Sequence, residues 1–131
     1  MAYAAAVTVT GPVISAGRRH WFVTCAETEA AAASEWSFDT GLSVGACVSI
    51  VHYVAVLVSG TGTTIQPKYG TVTGIAAIDE RAEFAAAAAT VSDASAVSFC
   101  TTDGKIYVRS TVDADTDNVI NTRITYVEGA I

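Results

Sequence analysis

The chain has 131 residues, 51% hydrophobic and 15% charged, with 13 acidic against 7 basic side chains and a net charge of −6. One domain of this length buries roughly 65–70% of its unfolded surface, and its hydrophobicity excludes disorder. Too few clustered cations are present to displace counterions from phosphates, which excludes a nucleic-acid binder.

The N-terminus has no basic segment followed by an apolar core, so it does not read as a signal peptide. Ala5 to Thr10 alternates, with Val7 and Val9 on one face and Thr8 and Thr10 on the other. Gly11-Pro12 breaks this strand, and residues 1–10 read as an extended arm. Arg19 to Ala26 alternates again: Trp21, Val23 and Cys25 share a face, and His20, Phe22 and Thr24 oppose them. Thr28 to Ser34 reads as a helical turn or a loop of small residues.

Val44 to Val58 is the most hydrophobic stretch, but it is shorter than a membrane span and reads as a buried strand or strand pair. Its segment Val48 to Val58 is apolar on both faces and demands cover on both sides. Gly60-Thr61-Gly62 marks a turn. Thr63 to Thr73, interrupted by Pro67 and Gly70, is placed at a sheet edge. Asp79 to Ala89 is predicted to be a helix, because acids precede the alanine run Ala85 to Ala89. Val97 to Cys100 and Lys105 to Thr111 are strands around the turn Thr102-Asp103-Gly104. Val119 to Val127 alternates most cleanly. Ile120, Thr122, Ile124 and Tyr126 share one face, and Asn121, Arg123 and Thr125 share the other. The polar stretch Val112 to Asn118 is expected to join the last two strands as a long hairpin loop. The expected fold is a single all-β, mainly antiparallel domain, a β-sandwich or jelly roll with one short helix.

Chemistry-bearing constellations are sparse. Asp113, Asp115 and Asp117 form D-x-D-x-D, which would suit a divalent cation. The EF-hand pattern fails, with Asn118 in place of the glycine and Ile124 in place of the bidentate glutamate. A solvated acidic loop is the competing account. His20 and His52 have no G-x-S-x-G and no neighbouring cysteine, so a nucleophilic triad is not expected. His52 reads as a core histidine beside Ile50, Val54 and Val56, and His20 as part of a basic strand end with Arg18 and Arg19. Glu27, Glu29, Glu35 and Asp39 accompany Trp36 and Phe38, a composition compatible with glycoside chemistry, but strands with exposed acids and buried aromatics are common and are the preferred account. Gly60 to Thr64 lacks a P-loop lysine. Cys25, Cys47 and Cys100 show no CxxC and read as free thiols in a reducing cytoplasm. No cofactor is expected.

Three segments carry a resemblance: Ala26–Leu42 (AETEAAAASEWSFDTGL), Gly60–Gly70 (GTGTTIQPKYG), and Asp103–Thr111 (DGKIYVRST) continuing in Asp117–Gly129 (DNVINTRITYVEG). Together they resemble small virion structural proteins of tailed bacteriophages. The resemblance implies a non-enzymatic head decoration or cement protein, made in the host cytoplasm and carried on the capsid surface. It would bind the major capsid protein as a homo-oligomer, a trimer being favoured, with no nucleic-acid or membrane partner. Residues 1–10 could add a strand to a capsid subunit. A tail or connector role is the nearest alternative. A carbohydrate-binding β-sandwich, stacking sugars on Trp21, Trp36 and Tyr107, is the alternative of another class.

Overall fold

A computed structural model describes residues 4–29, 35–60, 65–71, 77–80, 90–93, 97–112 and 118–129. Among the described residues the secondary structure is all β, in two antiparallel sheets, and the architecture is that of a β-sandwich. The larger sheet contains β1 (Ala4–Ser15), β2 (Arg18–Glu29), β10 (Asn118–Glu128), β4 (Cys47–Ser59) and β7 (Thr90–Asp93), hydrogen-bonded in that order. β8 (Val97–Cys100) pairs with the other end of β4. The smaller sheet runs β3 (Trp36–Asp39), β9 (Lys105–Val112), β5 (Ile65–Gly70) and β6 (Ala77–Glu80).

The core lies between the sheets and follows the alternation of the strands. Trp21, Val23 and Cys25 of β2 face inward, as do Ile120, Thr122, Ile124 and Tyr126 of β10. Trp36 and Phe38 of β3 and Ile106 and Val108 of β9 meet them from the smaller sheet. Within the larger sheet Trp21 stacks on its cross-strand neighbour Tyr126 at 5.1 Å with an interplanar angle of 9°, and Phe38 of the smaller sheet tilts against Tyr126 at 5.2 Å and joins the layers. The Tyr126 hydroxyl donates to the Thr40 carbonyl at 3.0 Å, so this buried polar tip is satisfied across the sandwich.

Several expectations need correction. Gly11-Pro12 does not end the first strand. Pairing with β2 resumes at Val13 after a register shift, so the dipeptide forms a bulge. Gly11 has φ 115°, and a Cβ there would stand 2.9 Å from the His20 carbonyl oxygen, which is why glycine occupies it. The segment read as an arm is hydrogen-bonded into the protein's own sheet from Ala4 onward. β5 is not an edge strand: it lies between β9 and β6, and no β6 residue stands opposite Pro67, which accommodates the missing N–H.

The predicted helix fails at its start. Asp79 and Glu80 pair as strand with Tyr69 and Lys68, and residues 81–89 lie outside the described residues. The alternative helical turn also yields at its start, since Thr28 and Glu29 belong to β2; residues 30–34 are not described. β9 and β10 belong to different sheets, so their connection is a crossover and not a hairpin loop.

The cysteine reading is corrected as well. The β4–β8 register sets Cys47 opposite Cys100, and the two are joined by a disulfide across a sequence separation of 53. Cys25 is the free cysteine, and it is buried.

Candidate functional site: an outer sheet face and an uncharged edge

The outer face of the larger sheet is built by the residues that alternate with the core. Register places them in cross-strand rows. Thr10, Phe22, Thr125 and His52 form one row. Thr8, Thr24, Arg123, Val54 and Ser92 form the next. Ala26, Asn121 and Val56 follow. Side chains of β2, β10 and β4 enclose a groove of 530 Å³ on this face, lined mainly by Phe22, Thr24, His52, Val54, Asn121 and Arg123. That volume falls within the roughly 300–1,000 Å³ of small-molecule sites.

His52 stands here because of a bulge in β4. Thr125 pairs with His52 but Tyr126 pairs with Ile50, so Val51 is an extra residue that reverses the alternation. Val48 and Ile50 point inward before it, Tyr53 and Ala55 after it. His52 therefore leaves the face of Ile50 and becomes exposed, contrary to the expectation of a core histidine.

Among the described residues no acidic side chain lines the groove, although the chain carries −6. Arg123 is exposed at its centre and makes no ion pair among the described residues. The sequence pattern already put Asn121, Arg123 and Thr125 on one face and Phe22 and Thr24 on another. Only the β2–β10–β4 register shows that these faces are one surface.

A second feature is the free edge of this sheet. β1 has a partner on one side only among the described residues. Its sequence, AAAVTVTGPVIS, holds no charge, and Val9, Val13 and Ile14 are 39%, 52% and 74% exposed. Edges are commonly guarded by lysine, proline or bulges. Here Pro12 and the bulge guard the later half, while Ala4 to Thr10 carries no such guard.

Next to the edge strand, an ion pair ties β2 to β10 at their ends. Arg19 of β2 donates to Glu128 of β10 through Nη2 at 2.7 Å and Nε at 3.0 Å, and its backbone N–H reaches the same carboxylate at 3.2 Å. These bonds hold the Glu128 carboxyl below the ordinary carboxylate range. The Arg19 guanidinium also lies 5.3 Å from the Trp21 ring centroid, within cation–π range.

The remaining sequence candidates are dispersed. Asp113, Asp115 and Asp117 lie outside the described residues, and no metal-ligating cluster gathers among the described ones. Trp21 and Trp36 are 6% and 4% exposed, so burial removes both as sugar-stacking platforms. Tyr107 is half-buried, and its hydroxyl donates to Asp103 at 2.5 Å, which lowers the Asp103 carboxyl. Glu27 is buried on the inner face of β2, whereas Asp39 is exposed on β3 of the other sheet. His20 is half-buried, with Nδ1 at 3.1 Å from the Arg18 carbonyl.

No family model matches the sequence. No curated protein matches it. A solved chain described as "CBM4 structure and function" aligns over 94% of this chain and 78% of its own at 16% identity, with a TM-score of 0.39. Likeness of that degree carries no functional argument.

Proposed function

We propose that the protein is a non-enzymatic structural subunit of a tailed-phage virion, of the head decoration type. It assembles as a symmetric homo-oligomer, a trimer being favoured, and binds the major capsid protein on the outer head surface. The resemblance of the three quoted segments suggests this reading. The observation that carries it furthest is the uncharged β1 edge on an otherwise acidic subunit. An edge strand offers backbone N–H and C=O groups to another strand, and exposed valine and isoleucine beside them give that contact apolar area. The acidic balance keeps a dense array soluble, and many weak contacts repeated by symmetry act together.

The test is copy number. Quantitative mass spectrometry of purified virions, referenced to the major capsid protein, is expected to show a near-stoichiometric ratio. A few copies per particle would move the protein to the tail or connector. Its absence from particles would overturn the virion reading.

A further inference from the structure

From the groove on the outer sheet face, centred on Arg123, we infer a binding site for a short acidic oligosaccharide. The inference stands apart from the virion reading and rests on the chemistry of the surface.

Charge is the first argument. An acidic chain has assembled a groove whose lining, among the described residues, holds an arginine and a histidine and no carboxylate. Arg123 is exposed there and makes no ion pair among the described residues, so its guanidinium fork is presented outward. A planar fork of N–H donors matches a carboxylate in two parallel hydrogen bonds.

Spacing is the second argument. Asn121, Arg123 and Thr125 follow one another on the same face of β10, about 6.6–6.8 Å apart. Across the strands Thr24 stands beside Arg123, and His52 beside Thr125. These amide, hydroxyl and imidazole groups flank the cation on both sides, as a ring bearing several hydroxyls and one carboxylate requires. Phe22, 42% exposed, offers an aromatic surface beside Thr125, and Val54 and Val56 offer apolar contact for C–H groups.

Backbone accounting separates a glycan from an extended peptide. β2 and β10 are paired on both sides along this region, and β4 is from Tyr53 to Val56, so their backbone groups are engaged in the sheet. The face presents side chains alone. An extended peptide lying there would find no strand edge for its own N–H and C=O groups. Sugar hydroxyls take side-chain partners singly and leave the rest to water.

The experiment is a titration of the full chain, followed by amide chemical shifts in NMR. The probes are trigalacturonate, its uncharged methyl ester, sialyllactose, cellotriose and a glutamate hexapeptide. One of the two acidic glycans is expected to shift Asn121, Arg123 and Thr125 with a dissociation constant of millimolar or below. The neutral probes should bind at least tenfold more weakly. Arg123→Ala and Phe22→Ala, both at exposed positions, should each lose at least fivefold while keeping the parent thermal midpoint. If either variant fails to fold, Arg123→Lys replaces it and should retain part of the affinity. Absence of shifts with both acidic glycans overturns the inference, as does undiminished binding in Arg123→Ala. Equal or tighter binding of the hexapeptide overturns the glycan assignment.

Discussion

Cys25 shows how a single inward position sets a chemical property. It alternates with Val23 on β2, is 3% exposed, and its thiol is pushed from 9.0 up to about 12 by loss of solvation, with Glu27 adding to the rise. A thiol that keeps its proton is a poor nucleophile, so native Cys25 should resist iodoacetamide at pH 8 and react once denaturant exposes it. The same shift fixes a pH dependence. Between pH 9 and 12 the unfolded chain releases this proton while the folded chain retains it. Stability from this group is therefore complete below pH 9 and lost as pH rises, with a slope approaching about 1.4 kcal/mol per pH unit. Denaturant midpoints measured at pH 8 and pH 10.5 should fall more for the parent than for Cys25→Ala. Equal falls would mean that the thiol titrates normally in the folded protein.

At the scale of elements, legibility tracked strand length and regularity. β10 has 11 residues, and its alternation groups Ile120, Thr122, Ile124 and Tyr126 on one face, which is the buried one; Val127, of the opposite parity, is buried as well. β3, β6 and β7 have four residues each, too few for a period of two to mark them alone, and the sequence reading holds no strand there; β8 is equally short but legible, because the turn Thr102-Asp103-Gly104 marks its end. The bulge at Val51 is silent in the sequence because valine suits either face. It alone turns His52 from a core residue into a groove residue. The disulfide was hidden for a related reason. Cys47 and Cys100 become neighbours only through β4–β8 pairing, and linear spacing carries no trace of that register. The bridge fastens a four-residue strand to the larger sheet and closes a long loop. Its reduction should therefore destabilise the protein by about 2–4 kcal/mol. Thermal melts with and without dithiothreitol check this, and the double variant Cys47→Ala/Cys100→Ala should match the reduced parent and ignore the reductant.

The whole molecule presents two unlike surfaces that share one sheet. Its face is polar and cationic at Arg123, whereas its free edge is uncharged and apolar. A face of side chains suits a discrete ligand, and an edge of backbone groups suits another strand. The two roles can therefore be separated by substitution. Val9 pairs with Val23, whose side chain faces inward, yet Val9 remains 39% exposed. A lysine there places a charge beside the backbone groups that a partner strand would need, a guard found on natural edges. Sedimentation velocity over a range of concentrations should show self-association of the parent. Val9→Lys should weaken that association at least tenfold, about 1.4 kcal/mol. Val44→Lys, in the connection between β3 and β4 and 70% exposed, adds the same charge away from the edge and should associate like the parent. A monomeric parent would remove the edge as a contact between copies and leave capsid binding as its remaining use. Equal weakening by both variants would trace the effect to net charge and away from strand pairing.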